Sequence, residues 1–303
     1  MILNILTILF LLLSLWINNS AVSIFLGIFL ALLFRIPDNY FVKRYGSKIL
    51  QTGIVFLGGS LSVSSVYETN ADFFVWITLY VFLAFGLVLF LGKIIGINEK
   101  LTYLLASGTS ICGGTAIASV APSIRAKSED LTAAITIIFI LNAIAVLLFP
   151  LANEYLELSD RQFGAWVALA IHDTASVVGA ASSVSETSVE VSATLKVART
   201  LWIVPLVIFS SWLYRSKKDS FGLPVFVIFF IVAVALNTLF NPSEIVVSYL
   251  KLTNEVCLLT GLFCIGTQIN KENLMKLQIK PVVLACISWT LIIPTSLFLV
   301  LSL

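Results

Sequence analysis

Apolar residues run through this chain in blocks of roughly 15 to 22, broken by short polar interruptions, and not in the period-two alternation of a water-facing strand. The blocks fall at about 2–17, 21–35, 48–66, 72–92, 101–122, 131–150, 162–184, 191–214, 222–240, 245–268 and 281–302, eleven elements in all. Each is long enough to be a helix crossing ~30 Å of hydrocarbon at ~1.5 Å per residue. The pattern predicts an all-α integral membrane protein with about 9–11 transmembrane helices. Residues 1–303 form one polytopic domain, because the loops are too short for a soluble one.

Composition narrows the class. Of 303 residues, 59% are hydrophobic and only 11% charged, with a mean hydropathy of +1.05, against about 25% charged in a soluble domain. The expected environment is the lipid bilayer. A net charge of +2, with no basic run interleaved with aromatics, gives no reason to expect a nucleic-acid partner. Ile2–Trp16 has no basic stretch before it, and Asn19-Ser20-Ala21 makes a poor cleavage site, so the segment reads as a retained first helix. Cys112, Cys257, Cys264 and Cys286 lie in apolar segments without metal-ligand spacing and read as small hydrophobes, with no metal expected.

Lysine and arginine set the expected orientation, since cytoplasmic loops carry their excess. With the N-terminus inside, Arg35, Lys43, Arg44 and Lys48 share one inner loop, Lys93 and Lys100 the next, then Arg215, Lys217 and Lys218, and finally Lys271, Lys276 and Lys280. The outer turns Asn18–Ser20, Val66–Ala71 and Asn241–Glu244 contain none. The expected location is a bacterial inner membrane, with the N-terminus cytoplasmic and the C-terminus outside.

Two segments, 101–122 and 162–184, are broken: each either crosses the membrane or dips in and returns as a re-entrant hairpin. The charge rule modestly favours hairpins. Half-helices of seven to nine residues reach ~10 to 14 Å, so two hairpins entering from opposite sides would meet near the midplane. That is the inverted-repeat plan of secondary transporters. A short match between Thr115–Ser123 and Thr174–Ser182, each followed by a helix, points the same way through small residues only. A second match, TGIVFLGGSLS from Thr52 and TGLFCIGTQIN from Thr260, lies on elements expected to be antiparallel.

The candidate chemistry sits at the two breaks. In lipid an open backbone survives only where protein buries it or a polar cavity faces it. Gly113-Gly114-Thr115 would turn free N–H groups and a positive dipole end towards such a cavity, with Thr109, Ser110 and Thr115 adding hydroxyls. The competing reading is close helix packing through small residues. At the second break, His172-Asp173-Thr174 brings together the only histidine and an acid that costs about +2.5 to +3.5 kcal/mol at a helix centre. Asp173 either caps the half-helix at Thr174, or couples protons or balances charge with His172, or does both.

Lys196 and Arg199 share one helical face, ~9 and ~13 Å below the surface if Glu190 marks it. They are candidate oxyanion ligands, or simply neutralise Asp173. Lys251 would pair with Glu255 or reach the outer interface. Asn142, Asn237 and Asn254 read as bundle hydrogen bonds. No enzyme is expected: Gly108-Thr109-Ser110-Ile111 lacks the GxSG turn of an intramembrane serine protease, and no Walker motif occurs.

At GTSICGGTAIASVAP (108–122) and IHDTASVVGAA (171–181) the sequence resembles, over essentially its whole length, the YeiH-like family of bacterial multipass membrane proteins, which carries the name sulfate exporter without an established substrate. The family is similar in turn to the bile acid, arsenite and riboflavin transporter superfamily, which implies crossed broken helices, a core and a panel, and Gly113, Gly114, His172 and Asp173 at the crossover. The resemblance carries over no substrate ligands. The expected function is a secondary transporter, in the export direction on the family's name, of a small anion such as sulfate, another oxyanion or a sulfonate. The expected substrate contacts are Thr109, Ser110, Gly113, Gly114, Thr115, Lys196 and Arg199. His172 and Asp173 would couple transport to H⁺ or Na⁺, with no other cofactor. A cation/proton antiporter using Asp173 and a holin-like pore remain alternatives, and a homo-oligomer is compatible with all three.

Overall fold

The computed structural model describes residues 2–37, 40–214, 225–269, 271–275 and 277–302. Arg215, Lys217, Lys218 and Lys276 of the expected inner loops lie outside the described residues.

The described residues form helices and no strand: α1 (Ile2–Ile17), α2 (Ser20–Leu33), α3 (Phe41–Gly58), α4 (Val63–Ile95), α5 (Glu99–Ser110), α6 (Gly114–Val120), α7 (Ser128–Leu156), α8 (Asp160–Ala170), α9 (Thr174–Ser182), α10 (Glu186–Thr200), α11 (Ile203–Tyr214), α12 (Val225–Phe240), α13 (Glu244–Gly266), α14 (Lys271–Met275) and α15 (Ile279–Leu301). Spans at 73–95, 129–156, 186–214, 244–266 and 279–301 are long and apolar enough to cross a membrane, and shorter apolar helices occupy 3–17, 22–33 and 228–240. Large apolar side chains such as Leu12, Phe82, Phe90 and Phe240 point outward, as a lipid-facing surface requires.

Two boundaries differ from expectation: α3 begins at Phe41, so Lys43, Arg44 and Lys48 of the expected inner loop lie on its first turns, and the outer turn that follows is displaced. The predicted outer turn at Val66–Ala71 lies inside α4, and the chain turns instead at 59–62. A helix that runs beyond the hydrocarbon has no need of apolar residues there, so a dip in hydropathy marks the membrane edge and not the end of the helix.

Both broken segments are hairpins. At the base of the first, Lys100 Nζ at the start of α5 donates to the Arg125 carbonyl just past α6, at 2.7 Å. Beside it, Asn98 Nδ2 donates to Asp130 Oδ1 in the first turn of α7, at 2.9 Å. The chain therefore returns to the side it entered from. At the base of the second, Ser188 Oγ near the start of α10 donates to the Asp160 carbonyl that opens α8, at 2.9 Å. The first base lies at the start of α7 and the second follows its end. The 29 residues of α7 separate them by about 43 Å at 1.5 Å per residue, so the hairpins enter from opposite sides.

The helices divide into two bundles. A core combines the hairpins with α4, α7, α10, α11 and α15, while a panel combines α1–α3 with α12 and α13. In the panel, α3 and α13 cross antiparallel at glycine–cysteine contacts. A Cβ at Gly46 would lie 2.3 Å from Cys264 Cβ, and one at Gly53 would lie 2.8 Å from Cys257 Cβ. Two of the cysteines are thus small packing residues. Cys112 is also buried, whereas Cys286 is exposed on the outside of the bundle.

Candidate functional site

The first hairpin turns at Ile111–Gly113, where Gly113 adopts φ 60° and ψ −125°, a region open to glycine and strained for any L side chain. A Cβ on Gly113 would also lie 3.2 Å from Ile138 Cγ2 and 3.3 Å from Asp173 Cβ. The second hairpin turns at Ile171–Asp173, where extended backbone places Asp173 as the N-cap of α9. Its Oδ2 accepts from the N–H groups of Ala175 at 3.0 Å and Ser176 at 3.4 Å. The two tips therefore touch at Gly113 and Asp173.

Behind the tips lie the carbonyl ends of α5 and α8, negative dipole ends brought together at the crossover. Arg199 joins them. Its Nε donates to Ser110 O at 2.7 Å, one terminal nitrogen donates to Ala168 O at 2.9 Å and Leu169 O at 2.8 Å, and the other donates to Thr109 O. The guanidinium carbon lies 4.7 Å from the centre of the Tyr80 ring of α4. One turn earlier on α10, Lys196 Nζ donates to Ile171 O at 2.8 Å. Arg199 is 1% exposed and Lys196 fully buried, so neither charge reaches solvent.

In front of the tips, between core and panel, lies a cavity of about 340 Å³. The core lines it with Gly114, Thr115 and Ala118 of α6, Ile135 and Phe139 of α7, and Asp173 and Thr174; the panel lines it with Gln51 and Ile54 of α3 and Ile265 and Gln268 at the end of α13. Asp173 is the only ionisable side chain among these residues. The cavity lies in the half of the molecule that holds the base of the first hairpin.

A second cavity, of about 610 Å³, lies on the same seam in the opposite half, lined by Ser182, Ser185, Glu186 and Glu190 of the core and by Leu57, Lys251, Asn254 and Leu258 of the panel, among others. There Lys251 bridges the bundles, 2.7 Å from Glu186 and 3.5 Å from Glu190. The expected pairing of Lys251 with Glu255 is not made; Glu255 accepts from Asn18 Nδ2 at 2.6 Å instead. Ile54, Leu57, Ala175, Val178, Leu258 and Leu262 share one apolar cluster that fills the seam between the two cavities.

Of the residues singled out in the sequence, Gly114, Thr115 and Asp173 line the first cavity, and Gly113 forms the contact between tips. Thr109 and Ser110 are buried and meet Arg199 through their carbonyls. Lys196 and Arg199 come to the same crossover but on its carbonyl side, outside the cavity lining. His172 is buried beside Trp289, with ring centres 6.0 Å apart, and the Trp289 indole donates to Ala170 O at 3.0 Å. Gln51, Gln268 and Tyr80 were not singled out, and Thr174 was named only as the start of the capped half-helix. Tyr80 carried a faint signal, being an aromatic hydroxyl in the middle of an apolar span and not at its edge.

Fold and site together define a polytopic helical membrane protein with a polar cavity where two helical hairpins meet. A family model described as "Conserved hypothetical protein 698" matches residues 1–285. The chain belongs to this family, the YeiH-like UPF0324 membrane proteins. A UPF0324 membrane protein of Geobacter sulfurreducens is 36% identical over 282 residues, covering 91% of this chain and 89% of its own. Another, from Vibrio vulnificus, is 34% identical over 290 residues, covering 94% and 93%. A third, from Photobacterium profundum, is 34% identical over 274 residues, covering 90% and 84%. No solved structure matches the chain.

Proposed function

We propose that this protein is a proton-coupled secondary transporter of a small oxyanion, sulfate or a close chemical relative, working by alternating access. The observation that carries the reading is the polar cavity between core and panel, at the tips of two hairpins that enter from opposite sides. Broken helices meeting at the midplane are the usual site in such carriers, and core and panel are the two bodies that would move. The second cavity, with an apolar plug between it and the first, supplies the opposite access route.

In this reading Thr115, Thr174 and the backbone around Gly114 donate hydrogen bonds to the ion, while Lys196 and Arg199 act from one layer behind by holding the tips and supplying fixed positive charge. Asp173 faces the ion. Two like charges ~5 Å apart repel by about 3 kcal/mol at an effective dielectric of 20, so the oxyanion enters best when Asp173 carries a proton, and the two travel together. His172, adjacent but outside the cavity lining, would assist that proton exchange. In a bacterial inner membrane with the N-terminus cytoplasmic, the first cavity would face the cytoplasm.

A second reading draws on the same carboxylate: as the lone ionisable group in the lining, Asp173 would bind Na⁺ or H⁺ alternately in a cation/proton antiporter. Purified protein in proteoliposomes separates the two. The oxyanion reading predicts saturable sulfate flux accompanied by proton movement and independent of Na⁺. The antiporter reading predicts Na⁺-dependent proton movement without any transported anion, and a pore predicts passive currents that do not saturate.

A further inference from the structure

The cavity is shared between two bodies, each tied together by its own contacts. Thr115, Asp173 and Thr174 belong to hairpin tips that Arg199 ties together by donating to carbonyls of both, and that meet at the Gly113–Asp173 contact. These groups must move as one. Gln51 and Gln268 belong to the panel, where α3 is locked to α13 at Gly46–Cys264 and Gly53–Cys257. Both glutamines line the cavity, are half-buried, and make no side-chain hydrogen bond to any described residue. A primary amide offers two N–H donors and one acceptor, so this pair supplies donors to an oxyanion without placing a charge in the membrane.

We propose that Gln51 and Gln268 contact the transported ion on one face of the membrane only, and so set the affinity on that face. The proposal rests on the oxyanion reading of the cavity. When core and panel shift, the ion stays with the tips and the glutamines are left behind. On the opposite face the panel offers Lys251 and Asn254 in their place. Gln51 and Gln268 are therefore specificity-determining residues for one half of the cycle, whereas Thr115 serves both halves.

The test uses the full chain in proteoliposomes of defined orientation, with inorganic sulfate varied on one face at a time. Gln51→Ala and Gln268→Ala are expected to raise the KM for sulfate about tenfold on the face of the first cavity, as the loss of a hydrogen bond to a charged group implies. KM on the other face should stay within about twofold, because no contact is lost there. Thr115→Val, on the core, is expected to raise KM on both faces. An unchanged rate from the opposite face also shows that a variant is folded. Equal changes on both faces, or none on either, would overturn the proposal while leaving the oxyanion reading standing. Absence of sulfate flux in the wild-type protein would overturn both.

Discussion

Gly113 and Asp173 meet across the two hairpin tips so closely that a methyl group on the glycine would lie 3.3 Å from the aspartate Cβ. The contact joins the unwound backbone of one hairpin to the helix cap of the other, and it depends on a residue with φ 60° and no side chain. Gly113→Ala adds backbone strain of about 1–3 kcal/mol and pushes the tips apart. The expected outcome is a protein that still inserts, loses most of its flux and melts at a lower temperature in detergent. Gly96, the other positive-φ glycine among the described residues, has nothing within 4 Å of an added Cβ. Gly96→Ala thus carries the strain without the collision and should keep its flux.

Arg199 is the second joint. Its guanidinium spans carbonyls of α5 and α8 that no lysine ammonium can reach together, because Arg is a planar fork and Lys a point charge. Each buried carbonyl left unpaired costs about 1–3 kcal/mol. Arg199→Lys is therefore expected to lose stability and transport nearly as fully as Arg199→Ala. A thermal melt in detergent decides the matter: an Arg199→Lys protein of wild-type stability would show that charge alone suffices.

Lys251 closes the seam on the side of the second hairpin, bridging α13 to Glu186 and Glu190 of α10. A partly exposed pair is worth at most about 1 kcal/mol, too little to matter to folding but enough to move an access equilibrium about fivefold. Lys251→Glu is expected to speed labelling of a cysteine placed at Leu258 by a water-soluble maleimide. The exchange Lys251→Glu with Glu186→Lys should slow it again. If labelling is indifferent to both, the bridge does not hold the seam.

Much of this arrangement was legible in the residues. The lengths of the apolar blocks define the spans, Gly113-Gly114 marks one break, and a lone acid at Asp173 marks the other, because only glycine and a capping carboxylate make sense of polar backbone at that depth. What was not legible is what each helix face meets. Lys196 and Arg199 share a face three residues apart, but the carbonyls they bind belong to backbone, and backbone leaves no mark in a sequence. Their charge suggested a ligand in the cavity; the unpaired carbonyl ends of two half-helices claimed it first. Gln51 and Gln268 were hidden for another reason. Gln51 lies on α3 and Gln268 in the turn just past α13, where polar positions look like membrane edges until two bundles are brought together, and the Val66–Ala71 stretch misled through the same ambiguity.

Whether an oxyanion and a proton share the cavity at Asp173 is decided by Asp173→Asn in proteoliposomes with labelled sulfate. The amide keeps the shape of the protonated acid but cannot exchange a proton. A pH gradient is expected to drive sulfate accumulation in the wild-type protein, whereas the variant still exchanges sulfate for sulfate but no longer responds to the gradient. Sulfate accumulation in the Asp173→Asn protein that follows the pH gradient as in wild type would contradict a shared cavity.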